Sequence, residues 1–111
     1  MKYLFVFISL LLTPTLTFSA TASWYGDKFH GRRTASGEIY DQNKLTAASN
    51  IHKMGTHLCV TNVQNNKTVR VKVNDTGGFH KYGRTLDLSK AAAIKLGFVK
   101  QGTCQITYKE C

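Results

Sequence analysis

A chain of 111 residues bounds a single domain with one modest core, which excludes a large multidomain enzyme and puts any chemistry on loops around a small scaffold. Fifteen Lys and Arg against six Asp and Glu give a formal charge of +9, so an anionic partner is favoured: nucleic acid, a membrane surface or a cell-wall polymer. Three cysteines fit an oxidising compartment with one disulfide and one thiol left over.

Positions 1–20 read as an export leader. Lys2 supplies the basic start, residues 4–12 form an apolar run broken only by Ser9, and small residues follow. The run is too short to cross a bilayer. Cleavage is expected after Ser19 or Ala20, or at the small-x-small triplet Ala20-Thr21-Ala22, where a cut trims the first strand. With no cysteine at this junction, the product is expected in the periplasm or outside the cell, soluble rather than lipid-anchored. It keeps a charge of about +8, because Lys2 is the only charged residue lost. Export removes nucleic acid from the candidate partners.

Residues 21–111 read as one domain of short strands. Positions 22–26, with Trp24 and Tyr25, form the first strand. Positions 27–41 are rich in Gly, basic and small polar residues without a period, the pattern of a long functional loop. A short apolar strand covers 45–48, and an irregular connection follows to Thr56. Strands at 57–63 and 68–74 flank the polar turn Gln64-Asn65-Asn66-Lys67 as a hairpin. In the second of them Val69, Val71 and Val73 alternate with Arg70 and Lys72, so one face is buried and the other basic. That strand runs into Asp75, Thr76, Gly77 and Gly78. A strand over 84–88 leads to Ser89, a good N-cap for a helix over 90–96 that Gly97 ends. An alternating strand over 102–108 closes the chain. Many short strands and one small helix predict a mostly-β barrel or sandwich.

Three cysteine pairings are open. Strand parity turns Cys59 and Cys111 outward and Cys104 inward beside Ile106, which favours a Cys59–Cys111 bond. Neither the cysteines nor His30, His52, His57 and His80 have ligand spacing, so no metal and no cofactor are expected.

Four blocks, taken in order and spacing, resemble the RlpA (rare lipoprotein A) family of double-psi β-barrels: Ala22-Ser23-Trp24-Tyr25-Gly26, Thr34-Ala35-Ser36-Gly37-Glu38, Leu45-Thr46-Ala47-Ala48, and Gly55-Thr56 continuing through Val60-Thr61-Asn62 and Val73-Asn74-Asp75 to Asp87-Leu88-Ser89 and Leu96-Gly97. The resemblance implies a six-stranded double-psi β-barrel crossed by a groove. In enzymatic members it implies a lytic transglycosylase that cleaves the MurNAc–GlcNAc bond of peptidoglycan glycan strands and leaves 1,6-anhydro ends. A carboxylic acid must protonate the leaving oxygen and, as carboxylate, take the proton of the C6 hydroxyl. Asp75 matches the main acid/base and Glu38 the assisting acid. Asp87, Ser49, His52, Trp24 and Tyr25 are candidate groove residues, and Trp24, Tyr25, Phe29 and Tyr82 are candidate sugar-stacking rings.

The sequence departs from the family pattern beside the expected acid. Ser49 stands where His usually follows Thr-Ala-Ala, and Thr76, Gly77 and Gly78 replace the usual Arg, Gly and Pro. These changes bear on catalysis and leave the fold untouched. The alternative is a non-catalytic, expansin-like module that binds or loosens the wall with the same groove. A monomer is expected, with peptidoglycan strands as its partner.

Overall fold

The computed structural model describes residues 16–77 and 86–111. Most of the expected leader, Gly78, Tyr82 and the start of the strand expected over 84–88 lie outside these residues. Among these residues there are six strands, β1 (Phe18–Trp24), β2 (Thr46–Ala48), β3 (His57–Asn62), β4 (Thr68–Asp75), β5 (Leu86–Leu88) and β6 (Thr103–Glu110), and one α-helix, α1 (Lys90–Leu96). The strands close into a barrel in the order β1-β5-β2-β4-β3-β6. The mostly-β barrel with one short helix is thus borne out.

Local sequence explains most of these elements. Val69, Val71 and Val73 of β4 point inward with Leu58 and Val60 of β3, against which they pair antiparallel. Leu86 and Leu88 of β5, Ile106 of β6, and Ala93 and Leu96 of α1 complete the core. Each large apolar side chain so buried contributes about 1.5–3 kcal/mol. Ser89 caps α1, its hydroxyl accepting from the Ala92 N–H at 3.3 Å, and Gly97 ends it with φ 78°, a conformation cheap only for glycine. Two pairs are parallel, β1 with β5 and β2 with β4. Such pairs cannot be joined by a tight turn, so the chain must cross the barrel between them.

Some boundaries move. The first strand starts at Phe18 rather than Ala22, because Phe18, Ser19 and Ala20 pair with Tyr108, Thr107 and Ile106 of β6. A cut after Ser19, Ala20 or Ala22 would therefore remove between two and five of the seven residues of β1. The stretch 27–41 is more ordered than its lack of period suggested. It opens with a 3-10 turn (Asp27–Phe29) and continues as a small hairpin, with Arg33 bridged to Ile39 and the Tyr40 N–H donating to the Arg32 carbonyl at 2.7 Å. Tyr40 anchors it, 2% exposed, its hydroxyl accepting from the Lys90 N–H at 3.2 Å. A single buried ring carries no periodicity, so the pattern missed it. A disulfide joins Cys59 on β3 to Cys111 after β6, while Cys104 is a buried free thiol.

Candidate functional site

The last residues of β4 break the regular ladder. Val73 pairs with Ala47, but the next residue of β2, Ala48, pairs with Asp75, so Asn74 is an extra residue in β4. Such a bulge redirects the side chain that follows it. Asp87 on β5 lies on the other side of the same residue, in register with Ala48 and with Ser23 of β1. One row across the barrel therefore reads Ser23, Asp87, Ala48, Asp75, and the two acids stand two strand spacings apart, about 10 Å.

Three donors converge on the Asp75 carboxylate. Oδ1 accepts from the Ala35 N–H at 2.9 Å and from the Thr76 N–H at 2.8 Å, and Oδ2 accepts from the Tyr25 hydroxyl at 2.8 Å. Oδ2 thus keeps a second lone pair for a proton. Tyr25 is half-buried, with its ring 4.7 Å from Tyr40 and 5.8 Å from Phe29. Burial first, then the hydrogen bond to Asp75 and the negative charges of Asp75 and Asp87, push the Tyr25 phenol far above the ordinary tyrosine range. It is therefore a fixed donor at any working pH.

Glu38 reaches the same strand from the loop hairpin. Its Oε1 accepts from Lys72 Nζ at 2.8 Å, and the Asn74 side-chain amide lies 3.5 Å from Oε2. The Ser36 N–H donates to the Asn74 carbonyl at 3.2 Å, so the loop is tied to the bulge by backbone as well. The hydrogen bond from Lys72 holds the exposed Glu38 carboxyl below its ordinary value, with smaller contributions from Asn74 and Lys44. Asp87 accepts from the Ser23 hydroxyl at 2.8 Å.

Other expected site residues are placed differently. The Ser49 side chain is 1% exposed and accepts from the Ile51 and His52 N–H groups, so it shapes a turn; only its backbone N–H touches the site, donating to the Asp75 carbonyl at 2.9 Å. His52 turns to β6, with its ring 3.0 Å from the Tyr108 hydroxyl and edge-on to Phe18. Trp24 donates to the Val99 carbonyl at 3.2 Å and packs against the core. Tyr25 meets Asp75 through its hydroxyl, a role that stacking arguments did not raise. Asn50 was missed outright: its side chain binds both the N–H and the carbonyl of Gly77, clasping the turn after Asp75. Only its neighbour Ser49 drew notice in the sequence, as a departure. Among the described residues no group of His, Cys, Asp or Glu has the arrangement of a metal site.

The closed barrel with its two parallel strand pairs is the double-psi β-barrel expected from the sequence blocks, with a carboxylate held on a strand-end bulge. The chain belongs to the family described as lytic transglycolase, whose model matches residues 17–108. The resemblance read from the sequence blocks is thereby borne out for family and fold. The chain is 50% identical over 94 residues to the endolytic peptidoglycan transglycosylase RlpA of Neisseria meningitidis serogroup A, a match covering 85% of this chain and 39% of that protein. This chain therefore spans well under half of the curated relatives it matches. Among solved structures, it is similar to a Streptomyces papain inhibitor (TM-score 0.68, 26% identity, 87% of this chain and 96% of that one). It is also similar to a Clavibacter michiganensis expansin (TM-score 0.67, 27% identity, 86% of this chain and 50% of that one).

Proposed function

We propose that this chain is an exported lytic transglycosylase that acts as a monomer on the glycan strands of peptidoglycan, with Asp75 as acid/base. The observation that carries the reading is the Asp75 carboxylate, oriented by three donors yet open at Oδ2. In the reaction, Asp75 Oδ2 delivers a proton to the oxygen leaving the muramyl C1. The same oxygen then takes the proton of the C6 hydroxyl as that hydroxyl closes on C1. The glycosidic C–O bond breaks, the C6–O–C1 bond forms, and Asp75 ends as it began, so water enters neither step. Glu38, kept as an anion by Lys72, stabilises positive charge developing on the sugar ring. The identity with RlpA supports the same substrate class.

A second reading has its own support. The Lys72–Glu38 pair neutralises the assisting acid, Ser49 supplies no imidazole, and the fold is shared with an expansin. In that reading the groove binds glycan without cutting it. Incubation with stripped glycan strands and mass spectrometry for 1,6-anhydro ends decides between them. Anhydro ends that vanish in Asp75→Asn support the lyase. Their absence from wild type, with equal binding by both proteins, leaves the binding module.

A further inference from the structure

The outward faces of β3, β4 and β6 gather charge that the Asp75 site does not use. Arg70, Cys59 and Lys109 form one row across β4, β3 and β6, and Thr68, Thr61 and Thr107 form the next. Arg70 and Lys109 thus stand two strand spacings apart, about 10 Å, with the threonine row about 7 Å further along the strands. A cavity of about 720 Å³ opens over both rows, with Lys95 of α1 as a third cation in its lining and Leu45 as an apolar edge. Arg70 is five residues from Asp75, roughly 16 Å along β4, so the two sites are separate.

Among the described residues no acid lines this cavity. Glu110, next to Lys109 in β6, turns instead to His52 Nδ1 at 3.4 Å, while Glu38 and Asp27 are paired with Lys72 and Lys90. Among the described residues Arg70, Lys95 and Lys109 make no ion pair. Cations gathered in this way repel one another, and an anion bound among them relieves the repulsion. A phosphate monoester carries about 1.5–2 negative charges and about three acceptor oxygens near neutral pH. Three cations and three hydroxyls meet that demand together, the Arg70 guanidinium by a two-pronged contact and the lysines as point charges. A lone carboxylate, with a single charge, leaves most of these donors unmet. A sugar ring fits no better: Tyr108 is the one aromatic residue among the described lining and is 2% exposed, so no ring face is free for stacking.

We infer that the cavity between Arg70 and Lys109 is a binding site for a phosphate group, carried by a soluble phosphate or by the headgroup of an anionic lipid. Its volume is in the range of small-molecule sites, so room remains for the group that bears the phosphate. Occupancy of this site does not depend on whether Asp75 cleaves glycan.

The full chain is titrated with inorganic phosphate near neutral pH in low salt, its amide signals followed by NMR, with acetate at matched ionic strength as the control. Phosphate is expected to shift the Thr61, Thr68 and Thr107 amides saturably and to raise the unfolding temperature, while acetate does neither. Arg70→Gln with Lys109→Gln should weaken phosphate binding about ten-fold or more, and about 0.5 M sodium chloride should weaken it likewise. Arg70→Lys with Lys109→Arg should keep the affinity within about three-fold, which separates lost charge from a damaged fold. Vesicles of phosphatidylglycerol and of phosphatidylcholine distinguish the two sources. Sedimentation with the first alone, competed by phosphate and lost in the Gln double variant, assigns the headgroup; saturable phosphate shifts without sedimentation assign a soluble phosphate. Shifts that do not saturate, that acetate reproduces, or that survive the Gln double variant overturn the inference.

Discussion

Replacing Tyr25 by Phe removes one atom from the site and little else. The ring keeps its contacts with Tyr40 and Phe29, so packing is retained, while Asp75 Oδ2 loses the hydroxyl that donates to it. A hydrogen bond to a charged group is worth about 1.5–3 kcal/mol. Because that bond orients the oxygen that moves the proton, its loss is expected to lower kcat/KM for anhydro-end formation by about ten- to 150-fold. Thermal unfolding followed in parallel should shift by only a few degrees. In the Asp75→Asn background, Tyr25→Phe should cost far less, because the oxygen it serves no longer carries the proton. Activity of Tyr25→Phe within two-fold of wild type at unchanged stability would refute the argument.

The Lys72–Glu38 pair makes a pH prediction. Lys72 holds Glu38 below its ordinary value, so the stability this contributes is complete above the ordinary carboxylate range and is lost as pH falls through the lower folded value. Lys72→Gln should move the Glu38 carboxyl back toward its ordinary value in an NMR titration; superimposable curves would sink the idea. Reducing the Cys59–Cys111 bond, or replacing both cysteines by Ser, frees a loop of 52 residues and should cost about 2–4 kcal/mol in denaturant unfolding. Removal of Phe18 and Ser19 deletes a ring stacked 5.1 Å from Tyr108 and should cost about 1–3 kcal/mol. Mass spectrometry of the exported product would show whether processing spares that ring. Asn50→Ala opens the Gly77 clasp and should speed amide exchange at Gly77, with little change at the core strands.

The faces of β4 were legible because alternation is a property of neighbouring residues, and the ends of α1 because a cap acts within one turn. The blocks that resemble the family led to the Asp75 strand end, and the structure sets Tyr25, Ala35 and Thr76 around it. The same blocks left Ser49 and His52 as groove candidates, since composition does not tell which way a loop residue turns. Ser49 folds back on its own turn and His52 is drawn to Phe18 and Tyr108 by ring packing. The loop over 27–41 looked irregular because its order comes from one buried ring and a few backbone bonds.

By itself the sequence determined that short alternating strands would bury one valine face and expose a basic one, that one capped helix would follow Ser89, and that an acid would stand at the end of the fourth strand. Only the tertiary structure decided what that acid meets. Tyr25 lies fifty residues from Asp75, Lys72 lies thirty-four from Glu38, and Arg70 and Lys109 come from different strands. Local propensities act over a few residues, whereas these partners meet only when the barrel closes and sets the register of all six strands.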